Sequence, residues 1–144
     1  MSGIPHFYHK IPNAYNKVIN KKPCHIVSVP FGPFRHYGLI SDQYVSGSPY
    51  IFSCSSRAGQ VAEEPAHIFA GGQEIKIHGF QSALNYIQVI DRARSRIGTK
   101  YNLLRWNCEH YVRWVHNLKA ESPQLKKTSA LGLFLLGITF TLRK

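Results

Sequence analysis

The order of local signals along the chain constrains its fold most. Short apolar runs broken by glycine and proline fill the first half, and helical periodicity takes over after residue 81. Residues 24–29 read as a strand (Ile26, Val27, Val29), halted by the stretch from Pro30 to Pro33 with Gly32 inside it. A second strand spans 36–40 and stops at Ser41-Asp42. Gly47-Ser48-Pro49 makes a turn, and Tyr50-Ile51-Phe52 opens a third strand. After Gly71-Gly72, the alternation in Glu74-Ile75-Lys76-Ile77-His78 predicts a half-buried strand.

Two helices follow. Ser82 is placed to cap one running to about Ile97, with Ala83, Tyr86, Ile87, Ile90, Ala93 and Ile97 at helical spacing and Gly98 as its stop. Its other face carries Arg92, Arg94 and Arg96. The second begins at Asn107 or Cys108 and runs to about Leu118, with Tyr111, Val112, Val115 and Leu118 apolar; Pro123 closes that region. Strands first and helices second predict an α+β domain, a small antiparallel sheet packed on helices. The expected division is a basic lead-in over 1–22, a folded domain over 23–120, and a linker with an apolar tail over 121–144.

Charge narrows the partners. With 18 Lys and Arg against 7 Asp and Glu, the formal charge is +11, which favours anionic surfaces. Lys21, Lys22, Arg35, Arg92, Arg94, Arg96, Arg105 and Arg113 are the candidates for a cationic face, which would serve anionic lipid or nucleic acid alike. No nucleic-acid recognition motif accompanies them. The tail from Ala130 to Leu142 is apolar on every side, yet about 13 residues at about 1.5 Å each fall short of a hydrocarbon core of roughly 30 Å. Lys126-Lys127 and Arg143-Lys144 flank it, as interfacial anchors would. A helix lying against the domain or in a membrane surface accounts for it, and membrane association is the expectation. Three cysteines (Cys24, Cys54 and Cys108) without a C-x-x-C spacing, and no apolar leader in the first 22 residues, point to a reducing intracellular setting. Tight Cys or His ligand pairs are missing, so no metal is expected.

Chemistry concentrates in Trp106-Asn107-Cys108-Glu109-His110-Tyr111. A thiol in the first turn of a helix, behind an Asn cap, meets unpaired N–H groups and the positive end of the helix dipole, which favour the thiolate. A nucleophilic thiol also needs an imidazole to hold and return its proton. His36 is the candidate, next to Gly38, whose missing side chain lets a neighbour approach. Spacing alone does not choose it over His25, His67, His78 or His110, and a lone cysteine is as readily a packing residue.

The two segments His36-Tyr37-Gly38-Leu39-Ile40 and Asn107-Cys108-Glu109-His110-Tyr111-Val112 resemble the signature of the lecithin–retinol acyltransferase family. The connecting stretches from Ser55 to Glu64 and Phe69-Ala70-Gly71-Gly72 resemble it too. The resemblance implies a circularly permuted papain-like fold shared with NlpC-type peptidases, Cys108 as nucleophile and His36 as general base. It implies an acyl-thioester formed from a phospholipid or other acyl-lipid ester, without metal or organic cofactor. Tyr101, before the motif, becomes a candidate oxyanion donor, with a core aromatic as the alternative. The family usually has a second histidine on the next strand to orient the first; here Ser53 stands there, a weaker acceptor. Transferase and hydrolase remain open at this point, as do an NlpC-type peptidase or amidase and a membrane-associated protein whose site has decayed. Glu109 carries only structural weight, as an acid suited to a helix N-terminus.

Overall fold

The structure, a computed structural model, describes residues 23–129. The lead-in over 1–22 and the apolar tail from residue 130 onward lie outside the described residues. Five strands form one antiparallel sheet: β1 (Ile26–Phe31), β2 (Phe34–Val45), β3 (Ser48–Ser55), β4 (Gln60–Pro65) and β5 (Lys76–Gly79), in the order β4-β3-β2-β1-β5. Three helices pack on it: α1 (Ala66–Ala70), α2 (Tyr86–Ser95) and α3 (Cys108–Val115). Helical turns also cover 123–129. The α+β architecture is as expected from the sequence.

Alternation divides the core into two layers. Ile26, Leu39, Phe52, Cys54 and Val61 point to the face covered by α2 and α3, where they meet Val89, Ile90, Ala93, Tyr111, Val112 and Val115. Val27, Val29, Ile40 and Ile51 point the other way, against Ala66, Phe69 and Ala70 of α1. A period of two makes this division automatic once the register is set. Register pairs Gly38 with Val27 on one side and with Ser53 on the other.

Several boundaries move from their expected places. The segment after Gly59 is strand β4, although Gln, Ala and Glu favour strands little. It is an edge strand, where charges are tolerated: Glu63 receives the Ser41 hydroxyl, and Glu64 pairs with Arg57. Its open side is closed by the strip after α2. Gly98 N–H donates to Val61 O at 2.9 Å, Val61 N–H to Thr99 O at 2.9 Å, and Tyr101 N–H to Gly59 O at 2.9 Å.

Helix α2 starts later than Ser82 predicts. Asn85 caps it in a capping box with Gln88, while the Ser82 hydroxyl donates to His116 O at 2.7 Å. Its buried stripe is Val89, Ile90 and Ala93; Tyr86, Ile87 and Ile97 of the expected stripe are exposed. Pro123 does not close the helical region but opens a new turn. Ser122 precedes it and its Oγ accepts from Leu125 N–H at 3.3 Å, as an N-cap does before a proline at the first helical position. Among the described residues no helix is long and apolar enough to cross a membrane.

Candidate active site around Cys108

Asn107 explains why α3 begins where it does. Its Oδ1 accepts from the N–H groups of Glu109 (3.0 Å) and His110 (3.2 Å), and Asn107 N–H donates back to His110 Nδ1 at 3.2 Å. This is a capping box with histidine in the place usually held by Glu or Gln. Cys108 is therefore the first helical residue, partly exposed, its sulfur among backbone N–H groups. Burial pushes the thiol up to about 11; N–H groups of Tyr37, Glu109 and Cys108 itself pull it down, while the Glu109 charge raises it. Burial wins, so the resting sulfur is a thiol.

Glu109 is more than an acid beside a dipole. It is buried, and its Oε1 accepts from Ser122 Oγ–H at 2.7 Å and Gln124 N–H at 3.1 Å. Sequence reasoning gave this residue no partner, because both donors lie beyond the end of the motif's helix.

His36 sits on β2, and the Phe69 ring of α1 lies 5.1 Å from its own at 36°. Gly38 makes that approach feasible. A Cβ there would stand 2.6 Å from Ile51 Cγ2, 2.8 Å from Phe69 Cε2 and 2.9 Å from Phe52 O. Burial lowers the His36 imidazole to about 4, helped by the positive charge of Arg57. At neutral pH it is an uncharged base.

Ser53 is buried, and the register puts it opposite Gly38, on the His36 face of the sheet. A cavity of about 470 Å³ brings the other candidates together: His36, Tyr101 and Cys108 all line it, with Asn107 and Glu109 beside them. Ser53 is not among its walls; Ser55 and Arg57 are, although the sequence assigned neither a role. Tyr101 is partly buried, its phenol raised by burial and then by the Cys108 and Cys54 sulfurs, so it keeps its O–H. Most of the remaining wall is apolar, including Val29, Phe34, Ile68, Phe69 and Leu103.

The other two thiols are structural. Cys54 S–H donates to Trp106 O and Cys24 S–H to Tyr86 O, both at 3.4 Å, and burial pushes each up to about 12. Among the described residues no group of His, Cys, Asp or Glu gathers to hold a metal.

Much of the expected cationic face is engaged inside the fold. Arg92 donates to Val115 O and Trp114 O and lies 4.1 Å from the Trp114 ring centre. Arg94 pairs with Asp42 at 2.7 Å, and Arg96 stacks 4.4 Å over Trp114. Arg113 donates to Lys119 O and Arg35 to Ser28. These arginines join α2, α3 and the sheet; Arg94 and Arg113 meet carboxylates, whereas Arg35, Arg92 and Arg96 keep their charge while contacting neutral groups. Lys21 and Lys22 lie outside the described residues.

The chain is 25% identical over 150 residues to human phospholipase A and acyltransferase 4, covering 85% of this chain and 91% of that protein. Residues 16–120 match the family described as lecithin retinol acyltransferase, a span that contains β1 to β5 and the Cys108 helix. With most of its length inside that match, the chain belongs to the lecithin retinol acyltransferase family.

Proposed function

We propose that this protein is a cysteine-dependent acyltransferase or phospholipase that takes an acyl group from a phospholipid ester onto Cys108, within a circularly permuted papain-like fold. The observation that carries the reading is the shared cavity: a helix-terminal thiol, an uncharged imidazole and a phenol line one largely apolar space. Its volume falls in the range of small-molecule sites. Phe31, Phe34, Ile68 and Leu103 line it and remain exposed, an apolar rim suited to drawing lipid from a bilayer.

In this reading His36 takes the thiol proton as sulfur attacks the ester carbonyl, and the carbonyl π pair moves onto oxygen. The N–H of Cys108 and the O–H of Tyr101 stabilise that oxyanion. Collapse breaks the carbon–oxygen bond, His36 returns the proton to the departing lysophospholipid alcohol, and a thioester remains. Water or an alcohol or amine acceptor then releases the acyl group. Ser53 is the candidate to orient His36. The apolar tail is proposed to hold the protein at the membrane inside the cell.

A second reading, a membrane-associated relative without activity, draws on the resting state of the pair. A thiol near 11 and an imidazole near 4 form no ion pair at neutral pH. Intact-mass measurement after incubation with short-chain phosphatidylcholine separates the two. The catalytic reading expects one added acyl mass on wild type and none on Cys108→Ala. An equal adduct on both, or no adduct and no released fatty acid, sinks it.

A further inference from the structure

Past the end of β3, strand β2 has an open edge at Arg35. Its N–H and C=O point away from β1, toward the side of β3, and β3 stops at Ser55, one residue short of a partner for Arg35. A side chain takes the vacant place. Arg35 N–H donates to Gln124 Oε1 at 2.7 Å, and Gln124 Nε2–H donates to Arg35 O at 2.9 Å, across 89 residues of sequence. The amide thus satisfies both backbone groups, as another strand would. Gln124 is itself held, because its own N–H and the Ser122 hydroxyl donate to Glu109. On the side-chain side, Arg35 is fixed by its guanidinium, with Nε–H donating to Ser28 Oγ at 2.7 Å.

The two ends of this chain of contacts are the covalent neighbours of the two reacting residues. Glu109 follows Cys108, and Arg35 precedes His36. We propose that Gln124 is a positioning residue for the Cys108–His36 pair, joining the strand of the base to the helix of the nucleophile through Glu109. This rests on the reading of those two residues as the reacting pair. It also makes the turn at 123–129, which leads into the apolar tail, part of the site's frame. A displacement of this turn changes the distance between base and nucleophile, and errors of about 1 Å in such distances cost on the order of 100-fold in rate.

Glutamine suits the position because it accepts and donates at once; an ionised carboxylate there would face the Arg35 carbonyl without a hydrogen to give. A glutamic acid regains both bonds only when protonated. The test uses the full chain and short-chain phosphatidylcholine, measuring the rate of acyl uptake by Cys108 across lipid concentrations. Gln124→Met, which keeps length and loses both bonds, is expected to lower the maximal rate by about 10- to 100-fold; because Gln124 also lines the cavity, the maximal rate and not the half-saturating lipid concentration is the readout. Gln124→Glu is expected to be faster relative to wild type at pH 5 than at pH 8. A wild-type maximal rate in the Met variant, or no pH dependence in the Glu variant's relative rate, overturns the proposal.

NMR titration of His36 supplies an arm that needs no substrate. Loosening its strand is expected to move its midpoint in Gln124→Met toward the ordinary histidine value; an unmoved midpoint overturns the proposal. If wild type takes up no acyl group while that midpoint shifts, the catalytic reading fails and Gln124 is left as a structural link between β2 and α3 only. Should the Met variant not fold, Ser122→Ala removes a single donor to Glu109, and an unchanged maximal rate and His36 midpoint in it count against the proposal.

Discussion

The two halves of the candidate site are held by different physics. Around Cys108 the contacts are polar and directional: Asn107 and His110 close a capping box, and Glu109 gathers Ser122 and Gln124. At the His36 ring itself they are steric: Phe69 lies against the ring, and Gly38 leaves the space it occupies, while the Gln124 bonds hold only the neighbouring Arg35 backbone. Hydrogen bonds fix the angle at which the thiol leaves its helix. Apolar contact fixes the base by exclusion, and the same burial sets its protonation. The thiol is aimed; the imidazole is confined.

The largest expected effect that sharpens this contrast is on stability against pH. In the unfolded chain His36 binds a proton near 6.5, whereas in the fold burial delays binding to about 4. Between those values the unfolded state holds more protons, so stability falls as pH falls through that window. The loss contributed by this residue is about 3 kcal/mol by pH 4. Denaturant melts from pH 7 to pH 4 should show His36→Gln losing that much less than wild type; parallel curves would break the confinement argument.

Next come single changes at either end. Gly38→Ala drives a methyl into Ile51, Phe69 and a backbone carbonyl that cannot yield cheaply, with an expected cost of about 1–3 kcal/mol. Asn107→Ala removes the cap and should cost about 1 kcal/mol. The informative readout is where each acts. Gly38→Ala should move the His36 titration and leave Cys108 alkylation by iodoacetamide alone, and Asn107→Ala the reverse. Both variants moving both probes would show that the Gln124 link carries a disturbance at either end to the other.

The smallest effect is expected at Ser53. It is buried across from Gly38 but does not line the cavity, so Ser53→Ala should slow acylation by about tenfold at most, the scale of one neutral hydrogen bond. A much larger loss would show that the base end also depends on a directional partner.

How much of this was legible in the sequence follows the same division. The order of strands and helices, the Asn107 cap and the need for space at Gly38 were readable because each depends on residue type and near neighbours. The start of α2 was misplaced because Ser82 and Asn85 are equally good caps, and only Ser82's bond to His116 O decides between them. Strand β4 was hidden by its glutamates, whose partners Ser41, Arg57 and Arg94 come from elsewhere. The choice of His36 came from family resemblance, since spacing left five histidines open. The partners of Glu109 and the link from Gln124 to Arg35 had no local signal, because they depend on tertiary approach across loops.

The strip that closes the edge of β4 links two needs that are usually met apart. Bonds between Gly98 and Val61, Val61 and Thr99, and Tyr101 and Gly59 cover the first part of that edge, so a second chain finds less to pair with there. The same strip delivers Tyr101 to the cavity. Sequence changes that loosen it therefore expose a sheet edge to self-association and displace the phenol together. Resistance to aggregation and the shape of the candidate pocket are inherited as one trait.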